Sequence, residues 1–132
     1  ALTVDGETHF GKGILGNDQI ISLAMIETEQ AVENAEAICS TPGLTGIYVG
    51  PSDLAISMGE GPGLDRGPGK VYDAIQHVLT TAKASGIRAG LHCMDPDYIK
   101  KMYECGFDFA SLSNDVRLLT QVVTSQINAV RS

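Results

Sequence analysis

Short apolar runs alternate along this chain with longer segments whose apolar residues recur at helical spacing. Ile20-Ile21-Ser22-Leu23-Ala24-Met25-Ile26 is nearly continuous in its hydrophobicity and stops at Glu27, the pattern of a strand covered on both faces. Thr28 then stands where a helix N-cap belongs, followed by Ala31, Ala35 and Ile38 at helical spacing until Thr41-Pro42-Gly43 ends the segment. A second strand, Thr45 to Val49, closes at Gly50-Pro51, and Ser52 is placed to cap a short helix from Asp53 to Met58. After a Gly/Pro-rich loop from Gly59 to Gly69, Lys70 to Ser85 reads as an amphipathic helix with Val71, Ile75, Val78, Leu79 and Ala82 on one stripe and Gly86 just past its end. A third strand (Ile87 to Leu91), a helix opened by Asp95-Pro96 and ended by Gly106, and a fourth strand (Phe107 to Leu112) follow. The final helix runs from about Asn114 to Val130, with Asp115 as its expected cap and a packing stripe at Val116, Leu119, Val122, Val123, Ile127 and Val130.

Strict βα alternation implies an α/β fold with a parallel sheet, either doubly wound or one sector of a (β/α)₈ barrel. A complete barrel takes about 250 residues, so the four βα units of a 132-residue chain correspond to about half of one. We divide the chain into a loop-rich lead-in, residues 1–19, with at most one helical turn, and a partial barrel domain, residues 20–132. The phosphate-cradling patterns GxGxxG after the first strand and GxxxxGK[ST] are absent, which removes the usual support for nucleotide binding.

Composition narrows the function classes. Nine Lys+Arg against sixteen Asp+Glu give a formal net charge of −7, the wrong sign for a protein that displaces counterions from nucleic acid. Three widely spaced cysteines, Cys39, Cys93 and Cys105, form no CxxC pair, so neither a disulfide framework nor a thiolate zinc site is expected, and a reducing cytoplasm is the expected setting. No apolar run is long enough for a bilayer and no secretory signal opens the chain; a first residue of Ala rather than Met points to a processed or excised segment.

Ligands of parallel α/β folds meet the carboxyl ends of the strands, so the residues just past each apolar run are the ones to inspect. They are Glu27, Asp53, His92, and Asn114 with Asp115. Carboxylates at the mouths of two adjacent strands can converge on one hard cation, Mg²⁺ or Mn²⁺, with water or substrate in the remaining positions. The bland alternative is that Glu27 and Asp53 are first-turn acids favoured by the helix dipole. His77, inside the Lys70 helix, and His9, in the lead-in, receive no role.

Several blocks carry a resemblance: Ile26-Glu27-Thr28 with Ala31-Val32-Glu33-Asn34, Gly46-Ile47-Tyr48-Val49-Gly50-Pro51-Ser52-Asp53-Leu54-Ala55, Ala89-Gly90-Leu91, Gly106-Phe107-Asp108-Phe109, and Asn114-Asp115-Val116-Arg117-Leu118-Leu119. From about Ile20 to about Leu119 the chain resembles the metal-dependent pyruvate aldolases of the 4-hydroxy-2-oxoheptanedioate aldolase (HpcH/HpaI) and citrate lyase group, and within them the C-terminal half of the barrel. The resemblance implies a lyase cleaving 4-hydroxy-2-oxo acids or 2-oxo-3-deoxy sugar acids to pyruvate and an aldehyde, as in aromatic compound catabolism. It implies Glu27 and Asp53 as ligands of a divalent metal (Mg²⁺ or Mn²⁺, with Co²⁺ a further candidate), and Gly50 and Ser52 as holding the pyruvate carboxylate. The family's catalytic base, a His, and an Arg that supports pyruvate belong to the first half of the barrel, which is outside this chain. Met25 replaces a substrate-touching Gln of the family and is read as core or barrel lining. His92 stands where the family has an apolar residue and is read as a strand-end histidine. The last helix often packs against a neighbouring subunit in that family, and a half-barrel has two open sheet edges, so a homo-oligomer or pairing with the missing half is expected. The alternatives are a citrate lyase-like or malyl-CoA lyase-like enzyme, and a non-catalytic metal- and anion-binding module.

Overall fold

The computed structural model describes residues 20–131 and, ahead of them, two short strands, β1 (Thr3–Val4) and β2 (Glu7–Thr8), paired antiparallel. The rest of the expected lead-in, His9 included, lies outside the described residues. The elements that follow are β3 (Leu23–Ile26), α1 (Glu29–Glu33), α2 (Ala35–Cys39), β4 (Gly46–Val49), α3 (Pro51–Ser57), α4 (Lys70–Ala84), β5 (Arg88–Cys93), α5 (Pro96–Cys105), β6 (Phe109–Leu112) and α6 (Asp115–Arg131). The sheet β3-β4-β5-β6 is parallel throughout, and its spatial order is its sequence order. A doubly wound sheet reverses direction at a switch point and a barrel does not, so the unbroken order decides between the two expected architectures in favour of a barrel sector.

The register sorts the side chains into rows. Ile26, Val49, Leu91 and Ala110 are level across the four strands. The first three are fully buried against a core that includes Leu54 from α3, Ile75 and Val78 from α4, and Met102 from α5. Each such side chain contributes about 1.5–3 kcal/mol by leaving water. One residue earlier, Met25, Tyr48, Gly90 and Phe109 are level and point to the opposite, concave face. Helices cover one face only: Leu23 and Met25 are exposed on the other. The expected burial of the first strand on both faces is therefore met on one, and its ladder is shorter than the apolar run because Ile20 and Ile21 precede it unpaired and exposed. Gly90 is required in the concave row, since a Cβ there would overlap the Phe109 ring, which stacks with Tyr48 at a centroid distance of 6.0 Å.

Several helix starts differ from the sequence pattern. Thr28 caps as expected, its Oγ1 accepting the Ala31 N–H at 3.1 Å. Asn34 then interrupts what reads as one helix, because its side chain donates to the Gln30 carbonyl at 2.7 Å and its backbone leaves helical geometry. Ser52 is not a cap: Gly50 holds that position and Pro51, whose missing N–H costs nothing there, begins α3. Asn114 rather than Asp115 caps α6, accepting the Arg117 N–H at 2.9 Å. The stripe from Val116 to Val130 is amphipathic as expected, yet no residue of α6 is buried. Periodicity identifies an apolar face and not what covers it.

At the end of the sheet where the strands begin, Asp108 ties three elements together. It receives Lys83 Nζ at 2.5 Å, Arg88 at 2.8 Å and the Ala89 N–H at 2.8 Å. Burial opposes its charge, but these donors outweigh burial and hold its carboxyl down at about 2. Because the folded value lies below the unfolded one, the stabilisation is present above the ordinary carboxylate range and is lost as pH falls through about 2. Asp108→Asn should cost about 1–3 kcal/mol at neutral pH, and denaturant melts between pH 5 and pH 2 should show a shallower acid decline than in the parent chain.

Candidate functional site

One row above Ile26, Val49, Leu91 and Ala110, the alternation returns to the concave side with Glu27, Gly50, His92 and Ser111. The ladder continues into this row through the Gly50 N–H, which donates to the Ile26 carbonyl at 3.0 Å, and through the pairing of His92 with Ser111. A cleft of about 220 Å³ opens over it, lined by Met25, Glu27, Tyr48, Gly50, Ser52, Asp53, Leu64 and His92. All four residues expected from the sequence to bind metal or substrate, Glu27, Asp53, Gly50 and Ser52, line this one cleft.

Gly50 sets the geometry. A Cβ built there would stand 3.3 Å from Glu27 Oε2 and 3.9 Å from Asp53 Oδ2, so the two carboxylate oxygens lie within about 7 Å of each other over a floor with no side chain. Glu27 is half-buried at the end of its strand and Asp53, in the first turn of α3, is exposed. Two hard oxygen donors above an empty floor fit a divalent cation that keeps solvent or substrate in its other positions, as Mg²⁺ does. Among the described residues no group of three His, Cys, Asp or Glu is assembled for a metal, so a cage made wholly of protein ligands is not on offer.

The polar side chains behind the acids form a second cluster that the sequence pattern did not single out. His92 Nδ1 lies 2.6 Å from Ser111 Oγ and 3.2 Å from Tyr48 Oη, and the two hydroxyls are also hydrogen-bonded to each other. Tyr48 rises into this cluster from the row below. The signal was present in the period of two: Tyr48 sits between the buried Ile47 and Val49, and Ser111 alternates with Ala110, so both must face the concave side. Met25 is part of the lining, as read from the sequence. His77 is exposed on α4 and is not among the residues that line the cleft. Asp115 also lies apart from the lining residues.

Leu64 reaches the cleft from the Gly59–Gly69 loop, and the next residue fixes it there. Asp65 Oδ1 accepts the Met94 N–H at 2.8 Å and Oδ2 the Asp95 N–H at 2.9 Å, while the Tyr98 hydroxyl donates to the Arg66 carbonyl at 2.9 Å. No sequence signal marked Asp65, since its partners are backbone groups 29 and 30 positions away. Burial pushes the Tyr98 hydroxyl up to about 12. Burial, reinforced by the Asp65 charge, does the same to the Cys93 thiol, which is therefore no nucleophile at neutral pH.

The fold and the site together define a class, a parallel (β/α) half-barrel with paired carboxylates at the carboxyl ends of two neighbouring strands. The family model for HpcH/HpaI aldolase/citrate lyase matches residues 4–121, and the chain belongs to that family. It is 34% identical over 125 residues to a hydroxypyruvate/pyruvate aldolase of Rhizorhabdus wittichii, covering 93% of this chain and 50% of that protein. It is 30% identical over 116 residues to a 2-keto-3-deoxy-L-rhamnonate aldolase of Klebsiella pneumoniae, covering 88% of this chain and 43% of the other. The crystal structure of a family member from Burkholderia cenocepacia superposes with a TM-score of 0.80 at 31% identity, over 87% of this chain and 44% of that one. The chain thus spans about half the length of the curated relatives it matches. No helix of the described residues is long and apolar enough to cross a membrane.

The Asp65 clasp generates a test independent of any ligand. Asp65→Ala should accelerate hydrogen exchange at the Met94 and Asp95 amides by about 10- to 100-fold, the loss of about 1–3 kcal/mol of local protection, while amides of β4 and β5 keep their rates.

Proposed function

We propose that this chain carries the metal- and 2-oxo-acid-binding half of a class II aldolase that cleaves 4-hydroxy-2-oxo acids or 2-oxo-3-deoxy sugar acids to pyruvate and an aldehyde. The observation behind it is the convergence of Glu27 and Asp53 on the side-chain-free floor at Gly50. Glu27 and Asp53 would hold a divalent cation, Mg²⁺ or Mn²⁺. That ion supplies Lewis-acid stabilisation of the negative charge that grows on the 2-oxo acid as its C3–C4 bond breaks. Gly50 keeps the floor open so that the substrate approaches the backbone closely. Ser52 and Asp53 stand in the first turn of α3, where N–H groups have no helical carbonyl to meet and can donate to the substrate carboxylate. Met25 and Leu64 supply the apolar part of the cleft lining.

The electrostatics add a constraint. Among the described residues two carboxylates and no Lys or Arg line the cleft, so a 2-oxo acid, itself an anion, is repelled until a cation lies between them. Pyruvate binding should therefore depend on metal. The same lining favours a second reading, a module that binds metal and 2-oxo acid without turnover. Acyl-CoA binding would instead mark a citrate lyase-like or malyl-CoA lyase-like activity.

Mn²⁺ titration followed by water-proton relaxation, with and without pyruvate, tests these readings together with a retro-aldol assay. Glu27→Gln and Asp53→Ala should each weaken Mn²⁺ binding by at least about tenfold, and Gly50→Ala should weaken it as well by displacing the Glu27 carboxylate. Pyruvate should bind only when Mn²⁺ is present. Mn²⁺ affinity that ignores both acids would overturn the proposal. Intact metal and pyruvate binding without turnover would select the non-catalytic module.

A further inference from the structure

The helices behind the sheet each span a seam between two strands: α4 packs on β4 and β5, and α5 on β5 and β6. By the same rule α6, which follows β6, belongs over a seam between β6 and a strand beyond it. Among the described residues the sheet order ends at β6. No residue of α6 is buried, although Val116, Leu119, Val123 and Ile127 lie on its apolar stripe. Leu112 alternates with Ser111 on β6 and so shares the helix-covered face with Ala110, yet it is exposed beside the same gap. What α6 lacks is the strand it would cover.

The opposite edge of the sheet has the matching deficiency. The Gly46 and Gly50 N–H groups donate to the Ser22 and Ile26 carbonyls, so the alternate residues Leu23 and Met25 turn their backbone polar groups outward, to an edge that no described strand pairs. Ile20 and Ile21, just ahead of it, are 65% and 73% exposed. Edge strands that stay free are blunted by charge, proline or a bulge, whereas residues 20–26 and 109–112 contain no charged residue and no proline. The chain exposes 8542 Å², about 1,900 Å² more than area scaling gives a folded monomer of its mass. That surplus exceeds the ~800 Å² that each partner of a standard interface buries.

We propose that two copies of this chain close one eight-stranded barrel, the free β6 edge of each pairing in parallel with the β3 edge of the other. A parallel sheet is extended only by a strand running the same way, and eight strands close a barrel of this kind. Four strands in sequence order, repeated by a two-fold axis along the barrel, meet both conditions, and one contact used twice leaves no edge. The edges that need each other are both on this chain. α6 of each copy then lies over the seam formed with its partner's β3, and the concave side chains of Leu23, Met25 and Phe109 enter a shared interior. The open side of the cleft, beyond Glu27, is bounded by the partner's β6. Closure of the barrel requires no metal and holds or fails independently of the metal site.

Sedimentation equilibrium of the full chain, combined with hydrogen exchange across a dilution series, tests the closure. The expected result is a dimer whose Leu23 and Met25 amides are protected and lose that protection on dilution to monomer, while amides of β4 and β5 keep theirs. Leu23→Pro deletes an outward N–H and Leu112→Glu places a charge in the seam; each should weaken the dimer by at least about tenfold and release the Met25 amide. Leu112→Glu carries the test if the proline variant does not fold, because residue 112 is already exposed in the single copy. A chain that stays monomeric throughout the series overturns the inference and leaves a different half-barrel as the occupant. A dimer whose Leu23 and Met25 amides exchange freely places the contact elsewhere and overturns it too, as does protection of those amides that persists in the monomer.

Discussion

The strict two-residue alternation of four parallel strands in register governs everything else in this molecule. Once Ile26, Val49 and Leu91 are committed to the helix-covered core, the next residue of each strand has no choice of side. Glu27, Gly50 and His92 are carried to the concave face at one level, and the cleft follows. Sliding β3 or β5 by one position would bury Glu27 or His92 among aliphatic side chains, at the cost of desolvating a charged or polar group. Hydrophobic packing on one face thus aims the polar groups on the other.

The βα rhythm was legible in the sequence because double commitments coincide there. Apolar runs end at Glu27, Gly50 and Leu91, and punctuation such as Pro42-Gly43 and Gly106 agrees with the periodicity on either side. The strand-end acids were legible for the same reason, since a carboxylate directly after a buried run must sit at the mouth of the sheet. Local capping was less so. Ser52 has the chemistry of a cap, yet Gly50-Pro51 takes that position because proline at the first helical residue sacrifices no hydrogen bond. Asn34 breaks a helix through a side-chain bond that competes with the backbone ladder, an outcome that composition alone does not rank. The Asp65 contacts and the tyrosine–imidazole–serine cluster depend on pairings between distant strands and loops, which exist only once the register does.

The two ends of the sheet are built on different electrostatic terms. At the starting end, Asp108 meets two cations and a backbone N–H, and its charge is fully compensated. At the finishing end, Glu27 and Asp53 flank Gly50 with no Lys or Arg among the described residues of the cleft lining. The first arrangement stabilises the fold; the second is carried by the aliphatic packing beneath it, where Ile26, Val49 and Leu91 are fully buried. Barrel proteins commonly divide stability and chemistry between opposite ends in this way.

The loop that delivers Leu64 to the cleft is clasped at its midpoint, by a single carboxylate gripping two consecutive amides of the β5–α5 connection. The same loop is held on its first flank by Arg66, which donates to the Gly61 and Gly63 carbonyls and pairs with Glu60, so the side chain that lines the cleft is fixed from two directions. Changes of length in this loop are therefore best accommodated after Arg66, around Gly67, so that the wall stays where the aspartate and the arginine put it.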